Sequence, residues 1–256
     1  MGTFYFRNCY FSSMKYFYNT NHMSKRSAVD LAHIIHGKKP MKDTPIFTLH
    51  GLLGAKKNWE SMSKKIASKM QRSVIAVDAR NHGESPHDPS HSYLDLASDV
   101  VQLMNKLSVK HVDIIGHSMG GRTAMVIALT EPSKVSHLII VDISPVPTTA
   151  ILNNFFPKLL DFMKTIKFHE FKNLVEARSE VKKELITSGV IEDEAMSNFI
   201  IMNIGTKTDK SIGWNCNVVA LKENFKHIAT FPSEVTGKQY SGPTLFIGGK
   251  ESSYIP

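Results

Sequence analysis

The 256-residue chain is poor in cysteine and has no long uninterrupted apolar run. Its two cysteines, Cys9 and Cys216, lie far apart and match no metal-ligand spacing. This excludes a disulfide framework and favours a reducing compartment. Since no stretch approaches the roughly 18 consecutive apolar residues of a membrane-spanning helix, we predict no transmembrane segment. The hydrophobic and charged fractions, 42% and 21%, are those of an ordinary globular protein.

Acidic residues are absent from the first 29 residues, which hold half of the net charge of +8. The basic residues there are Arg7, Lys15, Lys25 and Arg26. A basic, acid-free start that also contains serines is typical of a mitochondrial targeting segment, so we predict one at 1–29 and a protein of the mitochondrial matrix. The alternatives are a disordered tail, or an extension upstream of a start at Met14 or Met23, in a cytoplasmic protein.

The other half of the net charge is spread along the chain rather than gathered in a patch. Lysines lie in stretches such as "SKKIASK" and "VKKELI", which are typical of solvated helix faces. We therefore predict no nucleic-acid partner.

Short apolar runs alternate with stretches of helical periodicity up to about residue 144. A first candidate strand is Val29–Ile35, and four buried strands follow in "IFTLHG", "SVIAVDAR", "VDIIGHS" and "SHLIIVDIS". Such alternation with short connections predicts an α/β domain at 30–256, with a mostly parallel sheet wrapped by helices.

Three helices are predicted between these strands. The first begins at Asn58 as N-cap, and its apolar face is Trp59, Met62, Ile66 and Met70. The second starts at a capping box of Ser92 and Asp95 and buries Leu96, Val100, Leu103 and Leu107. The third runs from Met119 to Leu129 and is closed by Pro132.

The alternation stops after the fourth buried strand. From Pro145 to about Pro232 no strong strand pattern occurs, and three amphipathic stretches take its place. We interpret residues from about 146 to 235 as an inserted helical lid. The sheet resumes with "GPTLFIGG", and the chain stops seven residues later. The domain is therefore expected to be incomplete at its C-terminus, with the last strand and helix missing.

A serine stands between two glycines where a strand is predicted to turn into a helix. In "VDIIGHSMGGRTAMVIAL", Ser118 is flanked by Gly116 and Gly120. A nucleophile elbow needs this order of strand, serine and helix, with small residues two places on either side. The helix N-terminus also offers free N–H groups to a developing oxyanion. We predict that Ser118 is a nucleophile and Met119 an oxyanion donor, rather than a capping serine in a glycine-rich turn.

An oxyanion hole needs a second N–H, and the loop "HGLLG" after an earlier strand offers one. We predict that the N–H of Leu52 donates together with that of Met119. A glycine at the strand end lets the backbone approach a reacting carbonyl, so His50 and Gly51 are predicted to border the substrate. The alternative is an ordinary strand-to-helix loop.

Four motifs in this order resemble the α/β-hydrolase superfamily. They are "HGLLG", "DARNHGESPH", "GHSMGG" and "VDISP". Within the superfamily they are similar to the alpha/beta hydrolase domain-containing protein 11 group and to related bacterial esterases. The resemblance runs from about Pro45 to Pro256 and is weakest through the lid. It implies the α/β-hydrolase fold, a serine hydrolase acting on acyl esters, mitochondrial members in animals, and no metal or organic cofactor.

The acid of the catalytic triad has three candidate positions. Asp142 ends the fourth buried strand, 24 residues after Ser118, where its carboxylate would lie beside the elbow. The resemblance implies that bacterial esterases place their acid at this motif. The commoner superfamily position corresponds to Glu251, and a third, in the lid, corresponds to Val219, which cannot serve. We predict Asp142; the alternative is a strand-end aspartate that bonds only the local backbone.

The base is expected after the last strand of this fold, in a Gly-His motif. The chain ends at Pro256 before such a motif, so we predict that the sequence lacks its base. Since the base follows the nucleophile in this fold, histidines upstream of Ser118 are poor candidates. Asp78, Arg80 and His82 are predicted to be loop structure that shapes one wall of the site.

These features predict a serine hydrolase that cleaves carboxylic, lipid-like acyl esters through an acyl-enzyme on Ser118. The rival from another class is a non-catalytic hydrolase-fold protein that binds an acyl ligand or a partner; an inactive, truncated isoform is a related alternative. An epoxide hydrolase or dehalogenase is disfavoured, because it would need an aspartate at the elbow. The acyl substrate, the protein partners and the oligomeric state stay open.

Overall fold

The computed structural model describes residues 28–37, 43–250 and 252. The predicted targeting segment at 1–29 therefore lies almost wholly outside the described residues, and so does Glu251. The strands of the described chain are β1 (His33–His36), β2 (Ile46–Leu49), β3 (Val74–Val77), β4 (Val112–His117), β5 (Val135–Val141), β6 (Ile204–Thr206), β7 (Ile212–Trp214) and β8 (Thr244–Ile247).

Six of these strands form one sheet, in the order β1-β3-β2-β4-β5-β8. Every neighbouring pair is parallel except β1 with β3, so the predicted mostly parallel sheet is confirmed. All four residues of β2 and of β3 are buried, as expected for strands covered by helices on both faces.

The antiparallel edge strand begins later than the sequence predicts. The predicted strand Val29–Ile35 is replaced by β1, which starts at His33. The reason lies in the backbone of the preceding residues, whose N–H groups bond side chains instead of a strand. Val29 donates to Asp99 (2.8 Å) and Ala32 donates to Ser85 (2.9 Å).

Three helices flank the sheet: α1 (Glu60–Met70), α2 (Tyr93–Lys106) and α3 (Met119–Thr130). The capping box of α2 is confirmed, since the Ser92 hydroxyl accepts from the Asp95 N–H and the Asp95 carboxylate accepts from the Ser92 N–H. Leu96, Val100 and Leu103 are buried as predicted.

The predicted buried face of α1 is correct in part: Ile66 packs partly buried on the sheet, but two of the other predicted residues do not. Met62 and Met70 are about half exposed, whereas Ser63 and Ala67 are buried. The two small residues, four apart, share a face of the helix and allow it to approach the sheet closely. Asn58 does not cap α1; its side chain accepts from the N–H of Ala55 in the preceding 3-10 turn.

The segment predicted as a lid contains five helices and a hairpin. The helices are α4 (Ala150–Thr165), α5 (Leu174–Thr187), α6 (Glu194–Ile201), α7 (Val218–Glu223) and α8 (Phe225–Ala229). The expectation of an all-helical segment is wrong, because β6 and β7 pair as an antiparallel hairpin within it. Its buried side chains join those of the sheet and α2–α3 in one continuous core.

The two ends of this segment meet in space. The N–H of Thr148 donates to the carbonyl of Ala229 across 2.8 Å, although 81 positions separate them. The chain thus leaves the sheet after β5 and returns at nearly the same place. We keep the name lid for residues 146–235.

Strand β8 is the edge strand on the side of the sheet farthest from β1. All of its residues are exposed. Phe246 in it is 55% exposed. In the described part of the chain, no helix is long and apolar enough to cross a membrane.

Candidate active site

Three neighbouring parallel strands place the predicted site residues at one edge of the sheet. Leu49 at the end of β2 is paired with Gly116 of β4, which is paired with Ile140 of β5. Ser118 and Asp142 follow this row within two residues. Since the carboxyl ends of parallel strands lie at the same edge, the loop after β2, the β4–α3 turn and the end of β5 converge there.

Ser118 has a backbone conformation that residues with a side chain rarely adopt. Its φ is 50° and its ψ is −117°, which costs on the order of 1–3 kcal/mol. The turn is held by the Ser118 N–H, which donates to Val141 (3.0 Å), and by the Ser118 carbonyl, which accepts from the Arg122 N–H (3.0 Å). Backbone strain of this kind clusters at functional sites.

Two glycines allow β4 and α3 to approach each other across this turn. A Cβ on Gly116 would collide with the carbonyl of Gly120, and a Cβ on Gly120 would collide with the carbonyl of Leu49. The predicted reason for small residues on either side of the serine is therefore visible as direct backbone contact. The contact turns Ser118 outward from the end of β4.

The orientation of the Gly51–Leu52 peptide is fixed by bonds to its carbonyl. The Gly51 oxygen accepts from the Nδ1 of His50 (2.8 Å) and from the N–H of Gly54 (3.0 Å). Because the C=O and N–H of a trans peptide point in opposite directions, the Leu52 N–H points away from both donors. Within residues 43–250 neither this N–H nor that of Met119 donates to another backbone group. Both are therefore available to a ligand.

His50 supports this loop with both of its ring nitrogens. The N–H of Ala79 donates to Nε2 (3.0 Å), so Nδ1 carries the proton that is donated to Gly51. Burial lowers the pKa of His50, which keeps the ring neutral in that tautomer. Its predicted contact with a substrate stays a prediction, and a polar contact would require one of these bonds to break. Gly51 does border the nucleophile: a Cβ there would lie 3.3 Å from the Cβ of Ser118.

His82 and the lid hold the next residue of the loop. Leu53 has a φ of 59°, its N–H donates to Nε2 of His82 (3.1 Å), and its carbonyl accepts from the amide of Asn203 (2.7 Å). Nδ1 of His82 bonds the carbonyl of Arg80 (3.0 Å), so this ring is also neutral in a single tautomer. Burial lowers its pKa well below the ordinary value.

A third histidine, His91, completes a buried cluster. Its ring lies 5.6 Å from that of His82, which lies 5.1 Å from that of His50. Its Nε2 is 3.4 Å from the sulfur of Met119, and burial lowers its pKa to about 3. The cluster therefore bonds the residues on either side of Leu52, and it contacts the side chain of Met119. No motif of the sequence distinguishes His91, and sequence reasoning missed it.

Two buried ion pairs brace the loop that carries His82. The Lys56 ammonium lies 2.5 Å from the carboxylate of Asp78. The Arg80 guanidinium binds both oxygens of Asp99, at 2.6 and 2.7 Å. These contacts agree with the interpretation of Asp78, Arg80 and His82 as loop structure.

Asp142 lies directly after β5, with a φ of 56°. Its carboxylate accepts from the N–H of Gly249 (2.9 Å) and from the hydroxyl of Ser252 (2.7 Å), both in the loop after β8. Ser252 is a partner that no sequence pattern predicts. The alternative position Val219 carries an aliphatic side chain that is 49% exposed.

No histidine nitrogen of residues 28–37 or 43–250 is hydrogen-bonded to Ser118 or to Asp142. Burial lowers the pKa of His117, whereas the nearby Asp142 carboxylate opposes that shift. Among the described residues, Asp142 is therefore hydrogen-bonded through Gly249 and Ser252 and not through an imidazole. In the same residues, no three histidines, cysteines or carboxylates are grouped to hold a metal ion.

A cavity beside Ser118 is bounded by the lid. The nucleophile turn supplies Ser118 and Met119, and the β2 loop supplies Leu52. Tyr93 and Arg122 also line it. The rest of the lining is mostly apolar and consists of Ile143, Thr148, Leu152, Phe156, Phe225, Ile228 and Ala229. The strained serine therefore borders a small cavity with mostly apolar walls.

Comparison with known proteins identifies the family to which this fold belongs. The model of the alpha/beta hydrolase fold family matches residues 44–190. The sn-1-specific diacylglycerol lipase ABHD11 of Danio rerio is 35% identical over 233 residues, which are 91% of this chain and 71% of that protein. Ethanol acetyltransferase 1 of Eremothecium cymbalariae is 32% identical over 254 residues, covering 90% of this chain and 70% of that protein.

A solved structure described as a marine microorganism esterase is also similar. It is 32% identical and superposes with a TM-score of 0.77, covering 90% of this chain and 84% of that one. The predicted resemblance and the predicted fold are thereby confirmed. The chain belongs to the α/β-hydrolase fold family.

Proposed function

We propose that this protein is a serine hydrolase that cleaves carboxylic esters of apolar, lipid-like acyl groups. The observation that carries the proposal is the strained backbone of Ser118 at the β4–α3 turn, beside two unengaged N–H groups. The relatives named as a diacylglycerol lipase and an esterase support the lipase and esterase class.

In the proposed reaction, Ser118 Oγ attacks the acyl carbonyl while its proton passes to an imidazole base. The negative charge on the carbonyl oxygen is held by the N–H groups of Leu52 and Met119. Collapse of the tetrahedral intermediate expels the alcohol, which takes the proton, and leaves an ester on Ser118. Water then attacks this ester by the same route, so that the free acid is released.

We assign the role of orienting acid to Asp142, because it follows the strand next to the elbow and its carboxylate is fixed by two donors. Each carboxylate oxygen can accept more than one hydrogen bond, so an imidazole N–H can join these donors. The proposal assigns the base to a histidine outside the described residues.

Acyl transfer to an alcohol is part of the same chemistry. The acyl-enzyme can be attacked by an alcohol instead of water, and one relative is named as an ethanol acetyltransferase. The mostly apolar lid wall of the cavity favours an alkyl chain as the acyl part in either case.

The rival proposal is a hydrolase-fold protein that binds an acyl ligand without turning it over. It is favoured by one observation, the lack of a histidine bonded to Ser118 or Asp142 among the described residues. It is disfavoured by the strain at Ser118, which a simple binding pocket does not require.

The two proposals are separated by covalent labelling with a fluorophosphonate, read by intact mass. The 256-residue chain is compared with a version extended beyond Pro256 by an added segment that carries a Gly-His motif. Ser118→Ala is the test variant in each, and Ser179→Ala, at an exposed position of α5, is the matched control. Labelling of the extended chain that only Ser118→Ala removes supports the hydrolase. If both chains are folded and neither is labelled, the nucleophile assignment is wrong and the binding protein is favoured.

A further inference from the structure

A buried arginine lies one helical turn beyond the nucleophile. Arg122 is 1% exposed, and its backbone N–H donates to the carbonyl of Ser118. Its guanidinium carbon is 5.9 Å from the centre of the Tyr93 ring. In the described chain it has no salt bridge with a carboxylate. A buried guanidinium is costly unless its N–H groups are bonded, so its partners show what it does.

All three side-chain partners of Arg122 are backbone carbonyls at the two ends of the lid. Nε donates to Ser144 (3.3 Å), and Nη2 donates to Val146, where the chain leaves the sheet. Nη1 donates to Ile228 (2.9 Å), where the chain returns. We call residues 144–148 and 228–229 the lid roots.

The lid roots are also bonded to each other and to α2. Thr148 donates to Ala229, as described above, and the Tyr93 hydroxyl donates to the same Ile228 carbonyl that Arg122 binds (2.8 Å). Ile228 and Ala229 also line the cavity at Ser118. The Arg122 contacts therefore connect the helix of the nucleophile with the opposite wall of the cavity.

We infer that Arg122 is a positioning residue whose guanidinium holds both lid roots against α3 and thereby sets the width of the acyl cavity. Its effect on substrates rests on the proposed function, whereas its effect on the lid roots does not. A planar guanidinium with five donors can reach three carbonyls on separate segments at once. A lysine ammonium carries all of its N–H donors on one nitrogen, and a methionine side chain has no donor.

The direct test is hydrogen exchange of the Thr148 amide in the folded 256-residue chain. Arg122→Met removes all three bonds, and Arg122→Lys keeps the charge with fewer carbonyls in reach. We expect Thr148 to exchange about tenfold faster in Arg122→Met, since hydrogen bonds from charged donors are the stronger ones. Arg122→Lys is expected to lie between that variant and the wild type.

A matched control removes the same kind of contact elsewhere. Arg178 in α5 also donates from its guanidinium to a backbone carbonyl, that of Ile204 inside the lid. Arg178→Met is expected to leave Thr148 exchange unchanged. Wild-type exchange at Thr148 in a folded Arg122→Met chain would overturn the inference, as would equal acceleration in Arg178→Met.

Arg122→Lys keeps the test decisive if Arg122→Met does not fold. It retains the buried charge but cannot reach three carbonyls on separate segments, so Thr148 is expected to exchange a few-fold faster. Wild-type exchange at Thr148 in a folded Arg122→Lys chain would overturn the inference.

Ester hydrolysis adds a readout that loss of stability would not produce. In Arg122→Met we expect KM for p-nitrophenyl octanoate to rise at least about fivefold while kcat for p-nitrophenyl acetate is kept, because a short acyl group does not reach the lid roots. Equal losses for both esters would contradict a role in setting the cavity. These esters are assayed in the version extended beyond Pro256, which carries a base. If that version hydrolyses neither ester, the proposed function fails, and Thr148 exchange in the 256-residue chain still decides the role of Arg122.

Discussion

The ring of His82 accepts the backbone N–H of Leu53 across 3.1 Å, joining two loops that are 29 residues apart in sequence. On the other side of the same residue, the lid amide of Asn203 donates to the Leu53 carbonyl. The residue next to the proposed oxyanion donor Leu52 is thus held by a neutral imidazole and by the lid.

This relationship predicts a loss of stability in mild acid. The pKa values of His50, His82 and His91 are lowered by burial, for His91 to about 3, so these rings stay neutral in the folded chain. The unfolded chain binds protons on them below about pH 6.5. The free energy of unfolding should therefore fall between about pH 6.5 and pH 3, by up to about 1.4 kcal/mol per pH unit for each histidine. Urea unfolding at pH 7, 6 and 5 measures how steeply the free energy of unfolding changes with pH. We expect His82→Gln to make this change smaller. Equal stability of the wild type at pH 7 and pH 5 would contradict the prediction.

The contact at the elbow predicts that a single methyl group is not tolerated at Gly120. In Gly120→Ala the new Cβ would meet the carbonyl of Leu49, so we expect a loss of about 1–3 kcal/mol in the free energy of unfolding. Gly213→Ala is the control, because a Cβ there lies 3.4 Å from the flexible end of Lys207. Denaturant titration of both variants checks the difference, and equal stabilities would show that the elbow is looser than described.

The buried pair of Arg80 and Asp99 predicts a large cost for removing one charge. Asp99→Asn removes the carboxylate that Arg80 binds through two of its nitrogens, and we expect the free energy of unfolding to fall by about 3 kcal/mol. Glu60→Gln removes an exposed partner of Lys64 and is expected to change stability very little. Thermal and urea unfolding measure the stability loss in each variant. An equally small loss in both would mean that the Arg80–Asp99 pair is solvated.

Substitutions at two adjacent residues test which face of α1 packs against the sheet. Ser63→Leu places a large side chain against the sheet, and we expect a destabilisation of about 1–3 kcal/mol. Met62→Leu changes a half-exposed residue and should stay within about 0.5 kcal/mol of the wild type. If Met62→Leu were the more harmful change, the face predicted from the sequence would be the correct one.

The assignment of the acid predicts a loss of rate at Asp142. In a chain that carries its base, Asp142→Asn should lower kcat for ester hydrolysis by at least about a hundredfold, because an amide does not stabilise the imidazolium. Asp161→Asn, at an exposed position of the lid, is the matched control and should keep the rate. A wild-type rate in Asp142→Asn would remove this residue from the proposed mechanism.

Local rules were sufficient to predict much of the fold. The capping box at Ser92 and Asp95 involves neighbouring residues, and the structure contains it as predicted. The elbow was equally accessible, since the glycines around Ser118 are explained by the approach of two consecutive elements.

Features that depend on distant contacts could not be predicted. The prediction that Met62 and Met70 of α1 are buried was wrong, because it considered only the large apolar residues. The small residues Ser63 and Ala67 decide how closely the helix approaches the sheet. The β6–β7 hairpin was missed because its strands have three residues each, too few for a periodic signal. Asn203 donates to the carbonyl of Leu53, and His91 contacts the sulfur of Met119. Both come from remote segments, so no spacing in the sequence reveals them.

The meeting of Thr148 and Ala229 has a consequence for how such a chain can diverge. Because the lid begins and ends at one point, the residues between can be lengthened, shortened or replaced without changing the spacing of the strands at the nucleophile. The enclosed segment can therefore be exchanged as a unit. Any replacement would have to fit at the two ends of the lid, which Arg122 contacts. Substitutions that change substrate preference can accumulate in this segment, while the residues at the carboxyl ends of β2, β4 and β5 are retained.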